Sequence, residues 1–214
     1  YAKFAGASYC LIDKMLKNWT CLGHCKDGTE GTELVLLDTD KLTDIKYYVA
    51  VNHRLRSIIV SIRGTLNLVN GVVDLAWVPL LYTDFPGAPS GTMAHSGFLV
   101  SALRIGSAIR KLLLEQANKY PSYSVDFTGH SLGGAVTQLV ALNFAAHTPV
   151  PTSRVRVITF STPRVGNPRF AETISLARFA AYSRVTFNND PVPHLPTQNL
   201  FGFRFQHAAG EKYL

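Results

Sequence analysis

One unbroken stretch, Tyr123-Ser124-Val125-Asp126-Phe127-Thr128-Gly129-His130-Ser131-Leu132-Gly133-Gly134, constrains the fold more than any other. Val125 and Phe127 sit in a short alternating segment that reads as a strand, and a long apolar-periodic segment follows Leu132. Between them Gly129-His130-Ser131-Leu132-Gly133 fits G-x-S-x-G. Strand, sharp turn and helix form the context of a nucleophile elbow, which lifts one hydroxyl out of the backbone at a helix start. Backbone N–H groups and the helix dipole there favour a developing oxyanion. Side chains at Gly129 and Gly133 would collide with the strand and helix that the turn brings together. The alternative is a Gly-rich turn with no chemistry.

Other segments place this elbow in an alternating pattern. An amphipathic helix is predicted over residues 1–17, and strands over Lys46–Val51 and Arg56–Ile62. Phe98–Asn118 carries Leu99, Ala102, Ile105, Ile109, Leu112 and Leu113 at helical spacing, ended by Pro121. Leu132–Ala146 reads as helix, Val155–Phe160 and Tyr182–Phe187 as strands, with a helix around Pro168–Arg178 between them. Strands separated by helices need crossover connections, so a mostly parallel, twisted sheet with helices on both faces is expected. No repeat, low-complexity tract or linker divides the 214 residues, which are read as one α/β domain.

Composition excludes several classes. Apolar residues make up 47 % and charged ones 16 %, which rules out disorder, and no run approaches the roughly 18 apolar residues of a membrane span. A formal charge of +7 could draw the chain to anionic interfaces, although solubility is the simpler reading. Lys and Arg are scattered without interleaved aromatics, so no nucleic-acid partner is expected. The chain starts at Tyr1 with no signal-like apolar stretch, and so reads as processed or cut from a longer one.

Cys10, Cys21 and Cys25 are the only cysteines. His24 between the last two suggests a metal, but a fourth ligand is missing and the spacing fits no common zinc pattern. A small Cys21–Cys25 disulfide loop is expected instead, implying an oxidising compartment. Cys10 is then a buried thiol, or pairs with a cysteine beyond Leu214. Asn18-Trp19-Thr20 is a sequon, which makes Asn18 a glycosylation candidate and agrees with secretion.

A serine hydroxyl needs a base and an orienting acid. In this class of fold the chain order is Ser, then Asp or Glu, then His. Asp190 ends the strand in Val185-Thr186-Phe187-Asn188-Asn189-Asp190-Pro191, at a carboxyl end where catalytic groups gather. Glu172 lies in a predicted helix and Glu211 follows both late histidines, so Asp190 is preferred; its bland alternative is a cap for the turn before Pro191. His194 is hemmed by Pro193 and Pro196, whereas His207 ends Phe203-Arg204-Phe205-Gln206 with loop freedom after it. His207 is the preferred base, with His194 left open. His130 is expected to pack behind the turn.

Together with the elbow, Trp19-Thr20-Cys21, Ile62-Arg63-Gly64-Thr65, His95-Ser96-Gly97-Phe98, Thr162-Pro163-Arg164-Val165-Gly166-Asn167 and Asn189-Asp190-Pro191-Val192-Pro193 make the chain resemble the secreted fungal lipase and feruloyl esterase family, the class 3 lipases. The likeness runs over nearly all of the chain. It implies an α/β-hydrolase fold, with Ser131 as nucleophile, Asp190 as acid and His207, rather than His194, as base. It further implies an oxyanion hole from the Thr65 N–H and hydroxyl and the Leu132 N–H, and a supporting role for Asp74. The bland alternatives are a β-turn at Arg63-Gly64-Thr65 and a helix-face acid at Asp74.

By the same resemblance residues 66–76 would be a lid, with Leu66, Leu68, Val69, Val72 and Val73 as its apolar face. Gly71 stands where such lipases often carry tryptophan, which removes an interfacial anchor that Trp77 could partly replace. Family members also continue past the histidine and pair a late cysteine with a position like Cys10, so a C-terminal segment is expected to be missing after Leu214. The implied activity is that of a secreted, monomeric triacylglycerol lipase without metal or cofactor, meeting its ester at an oil–water interface or lipid surface. Alternatives with the same triad are a feruloyl or short-chain esterase and a phospholipase A1. From another class, the alternative is an inactive lipid-surface binding module.

Overall fold

The computed structural model describes residues 1–65 and 78–214. The expected lid residues Leu66, Leu68, Val69, Val72 and Val73, together with Asp74 and Trp77, lie outside the described residues.

Two short helices, α1 (Ala2–Ala7) and α2 (Asp13–Lys17), replace the single helix expected over residues 1–17. Leu11 and Ile12 are exposed, so the apolar pattern there has no face to bury and the helix has no reason to continue. Cys10, in the break, is disulfide-bonded to Cys21 across a Cα–Cα distance of 6.1 Å. This corrects the expected Cys21–Cys25 loop. Cys25 is a buried free thiol whose N–H donates to the Cys21 carbonyl at 3.0 Å within one turn, while the chain reversal after α1 delivers Cys10 to the same apolar cluster. Burial pushes the Cys25 thiol pKa up.

The remaining elements, in chain order, are β1 (Thr32–Asp40), β2 (Ile45–Asn52), β3 (Ser57–Ile62), β4 (Pro79–Leu81), β5 (Met93–His95), α3 (Ser96–Lys119), β6 (Ser124–His130), α4 (Leu132–His147), β7 (Val155–Phe160), α5 (Pro168–Leu176), β8 (Ala181–Thr186), β9 (Asn199–Leu200), β10 (Phe203–Arg204) and β11 (Glu211–Tyr213). Among the described residues the main sheet runs β1-β2-β3-β6-β7-β8-β11. Its first three strands pair antiparallel and every later pair is parallel. The switch follows from connection length: tight turns join β1 to β3, helical crossovers join β3 through β8, and a long loop carrying the β9–β10 hairpin joins β8 to β11.

Period-two alternation explains the two-sided burial. Tyr47, Val49 and Val51 of β2 and Ile58, Val60 and Ile62 of β3 point into one core with α3, α4 and α5. Their neighbours Tyr48, Ala50 and Ile59 point into the other, against Phe4 and Ala7 of α1 and Leu16 of α2. Residues 132–144 of α4 are all buried, as expected for a helix apolar all round and sandwiched between sheet and α3. Each fully buried Val, Leu or Ile contributes about 1.5–3 kcal/mol, so this helix is among the most firmly held parts of the chain.

Candidate active site

Strand register brings three chain segments to one edge. Ile62 pairs with Gly129, His130 with Phe160, and Phe160 with Val185. Residues 63–65, Ser131 and the segment 187–190 therefore all leave the sheet at its carboxyl end, where open α/β sheets collect ligand groups.

Ser131 links β6 directly to α4 with φ +56° and ψ −130°. That conformation costs a non-glycine residue about 1–3 kcal/mol and is held by its surroundings. The Ser131 N–H donates to the Phe160 carbonyl at 2.9 Å, and its own carbonyl accepts from Gly134 and Ala135 at 2.9 and 3.2 Å. The flanking glycines have no room for a side chain: a Cβ on Gly129 would lie 2.6 Å from the Gly133 oxygen, and one on Gly133 would lie 2.8 Å from the Gly64 nitrogen. The Ser131 side chain is fully buried, and its hydroxyl has no hydrogen-bond partner among the described residues. A buried hydroxyl left unsatisfied is costly in a merely structural role.

Opposite it runs the Arg63-Gly64-Thr65 strap. A Cβ on Gly64 would lie 3.3 Å from the Ser131 Cβ and 2.6 Å from the His130 oxygen. The Thr65 hydroxyl, like that of Ser131, is buried and without a partner among the described residues. Leu132 begins α4, so its N–H is one of the first-turn donors that the helix itself cannot satisfy. The Ser131 hydroxyl, the start of α4 and the strap that ends in Thr65 thus lie side by side.

Asp190 and His207, the expected acid and base, line a common cavity of about 390 Å³ with Arg164, Arg184 and His194. No hydrogen bond joins them to each other or to Ser131 among the described residues. Instead the His207 Nε2 lies 2.7 Å from the Pro193 carbonyl, and the Asp190 Oδ1 accepts from the Val192 N–H at 2.9 Å. Asp190 thereby makes the turn-capping contact of its bland reading. Burial, then the charges of Arg184 and Arg164, pull the His207 pKa down to about 3, so the ring is neutral in this arrangement.

Several supporting residues carried no role in the sequence. The Gly166 carbonyl accepts from the Gln206 N–H at 2.9 Å, which sets the segment bearing His207. A Cβ on Gly166 would collide with the Met93 carbonyl, so close approach requires glycine there. Arg164 donates to the carbonyls of His194 and Pro196, both at 2.5 Å, and the Arg184 Nε donates to the Ala208 carbonyl at 2.9 Å. These arginines fasten the loops on either side of the acid and base. Tyr9 reaches the elbow from the far side of the sheet: its hydroxyl accepts from the Gly64 N–H at 3.1 Å and lies 2.9 Å from the His130 Nδ1. His194 is exposed and faces the cavity without touching Ser131, and Leu132 is buried. Asn18 is exposed, as glycosylation requires.

No group of three or more His, Cys, Asp or Glu side chains is placed to hold a metal ion among the described residues, and none of their helices is long and apolar enough to cross a membrane.

A strained serine between strand and helix, on a mostly parallel sheet covered on both faces, defines the α/β-hydrolase fold. The class 3 lipase family model matches residues 59–200. The chain belongs to that family. It is 34 % identical to a lipase of Rhizomucor miehei, covering all of this chain and 56 % of that protein. It is 30 % identical to the secreted mono- and diacylglycerol lipase 1 of Fusarium solani, covering 100 % and 62 %. A solved triacylglycerol lipase whose catalytic centre is a serine protease triad superposes with a TM-score of 0.87 at 34 % identity, covering all of this chain and 77 % of that one. The chain thus spans little more than half the length of these two sequence relatives.

Proposed function

We propose that this protein is a secreted triacylglycerol lipase that transfers the acyl group of a glycerol ester first to Ser131 and then to water. The observation that carries this reading is Ser131, strained in its backbone, with a buried hydroxyl that has no partner among the described residues, beside Gly64 and at the start of α4.

His207 turns from the Pro193 carbonyl to Ser131 and takes its proton as the hydroxyl oxygen bonds to the ester carbon. Asp190 holds the ring tautomer and stabilises the imidazolium. The carbonyl oxygen becomes an oxyanion that accepts from the N–H groups of Thr65 and Leu132 and from the Thr65 hydroxyl. Each such donor is worth about 3–4 kcal/mol at the transition state. The intermediate collapses, the ester C–O bond breaks, and His207 protonates the leaving glyceride alcohol. Water then repeats the sequence on the acyl-enzyme and releases the fatty acid.

Contact with lipid is supported by Val78, Leu80 and Leu81, which are exposed at and beside β4 directly after residue 77. β4 pairs with β5, and β5 continues through the Ala94–Gly166 and Gly166–Gln206 bridges toward His207. A hydrogen-bonded path thereby runs from an exposed apolar edge to the segment bearing His207. Residues 66–76 serve as lid, Asp74 supports the oxyanion hole, and the enzyme acts as a monomer. A second reading, hydrolysis of partial glycerides, is favoured by the Fusarium solani relative.

Hydrolysis of tributyrin, triolein, monoolein and methyl ferulate by wild type and Ser131→Ala tests the proposal. Turnover of the triglycerides that rises above their solubility limit and vanishes in Ser131→Ala is expected. Preference for monoolein selects the second reading, and equal rates for both proteins contradict either.

A further inference from the structure

The N-terminal segment reaches the site through a single hydroxyl. Tyr9 follows α1, which is tied to the sheet because the Tyr48 and Ser61 hydroxyls both donate to the Phe4 carbonyl, at 2.7 and 3.0 Å. Phe4 and Ala7 are buried against β2 and β3 in the same cluster. The tyrosine is therefore delivered from a fixed base rather than from a loose terminus. Its ring meets the His130 ring edge-on, with centroids 5.7 Å apart.

The donor and acceptor roles follow from chemistry. A phenol has one proton, and its oxygen already accepts from the Gly64 N–H. Burial lowers the His130 pKa, opposed by the charge of Asp190, and this favours the neutral ring. The tyrosine proton goes to His130 in either tautomer, to Nδ1 at 2.9 Å when that nitrogen is unprotonated and to the backbone carbonyl at 3.5 Å when it is not. One oxygen then bridges the strap that ends in Thr65 to the elbow that carries Ser131. The fit is tight: a Cβ on Gly64 would lie 2.5 Å from the Tyr9 oxygen.

We infer that Tyr9 is a positioning residue for acyl transfer, its hydroxyl holding the Gly64–Thr65 strap and the His130–Ser131 elbow in the register that aims both oxyanion donors at one point. This rests on the acyl-transfer reading of the site. The two halves of the oxyanion hole come from different strands, β3 and β6, and hydrogen bonds within the sheet end at Ile62 and Gly129. Beyond that rung the Tyr9 hydroxyl bridges the two segments by side-chain hydrogen bonds. A misplacement on the order of 1 Å at such a site costs about 100-fold in rate.

The test uses soluble p-nitrophenyl butyrate with wild type, Tyr9→Phe, His130→Phe, the double variant and Ser131→Ala, below the melting temperature of each. Tyr9→Phe is expected to lower kcat about 10- to 100-fold with KM within about twofold, because the donors act on the oxyanion and not on the bound ester. The rate of phosphonate inactivation should fall by the same factor. His130→Phe should also lower kcat, and the double variant should lose less than the product of the single effects. A Tyr9→Phe protein that melts earlier yet keeps wild-type kcat overturns the inference. If that variant does not fold, wild-type kcat in His130→Phe overturns it equally. Undiminished activity in Ser131→Ala would instead remove the acyl-transfer reading itself.

Discussion

Gly64 lies directly against Ser131, so close that a Cβ added to it would stand 3.3 Å from the serine Cβ and 2.5 Å from the Tyr9 hydroxyl. The strap from β3 and the elbow after β6 are therefore packed surfaces, with no slack between nucleophile and expected oxyanion donor. Gly64→Ala must push them apart. The expected result is a loss of about 1–3 kcal/mol in urea unfolding and a fall of at least about 100-fold in kcat/KM. Wild-type turnover in Gly64→Ala would show that the strap takes no part in catalysis.

Ser131 holds a strained backbone that the proposed nucleophile role accounts for. Ser131→Gly removes about 1–3 kcal/mol of left-handed strain and adds about 0.5–1 kcal/mol of chain entropy to the unfolded state. A rise in stability of about 1 kcal/mol, or about 2–4 °C in Tm, is expected together with loss of all measurable turnover. Calorimetry checks the first and ester hydrolysis the second. A lower Tm would mean that the φ of +56° is not strained in this setting.

Asp190→Asn separates the two roles of this carboxylate. The amide oxygen can still accept from the Val192 N–H, which Asp190 caps at 2.9 Å, so the fold should survive with an unchanged circular dichroism spectrum. An amide cannot stabilise the imidazolium or hold the productive tautomer, so kcat should fall about 10⁴-fold. Wild-type kcat would leave Asp190 a turn cap and nothing more.

His207 makes stability depend on pH. Folded, it binds a proton near pH 3, against 6.5 for the ordinary side chain. Between those values the unfolded chain holds more protons, so stability falls as pH falls. Wild type should lose about 1–2 kcal/mol more than His207→Gln on going from pH 7 to about 4.5, allowing for partial solvent access. Urea unfolding at both pH values measures this. Equal losses in the two proteins would show that the imidazole is not held neutral by its surroundings.

The elbow was legible because all of its determinants are local: alternation before it, helical spacing after it, two glycines around one serine. The strand end at Ile62 was legible for the same reason, and β8 ends at Thr186, one residue before the expected Phe187. What escaped depends on distant pairing. β1 is an edge strand with a register shift between Leu34 and Leu36, which blurs its alternation. β11 is three exposed residues that exist as a strand only because β8 lies beside them. The disulfide escaped because the break at residues 11–12, which frees Cys10 to meet Cys21, is set by solvent exposure and not by spacing. Tyr9 carries no motif of its own, since its partners are 55 and 121 residues away. The contact of His207 with the Pro193 carbonyl was not foreseeable from residue order.

The account depends on Ser131 being a nucleophile activated by His207, and covalent labelling reads this most directly. Incubation with an alkyl phosphonate ester followed by peptide mass spectrometry should add one phosphonyl group to the peptide containing Ser131. Ser131→Ala should take up none, and His207→Ala should label slower by several orders of magnitude. Equal labelling of wild type and Ser131→Ala, or labelling of wild type at another residue alone, would contradict it.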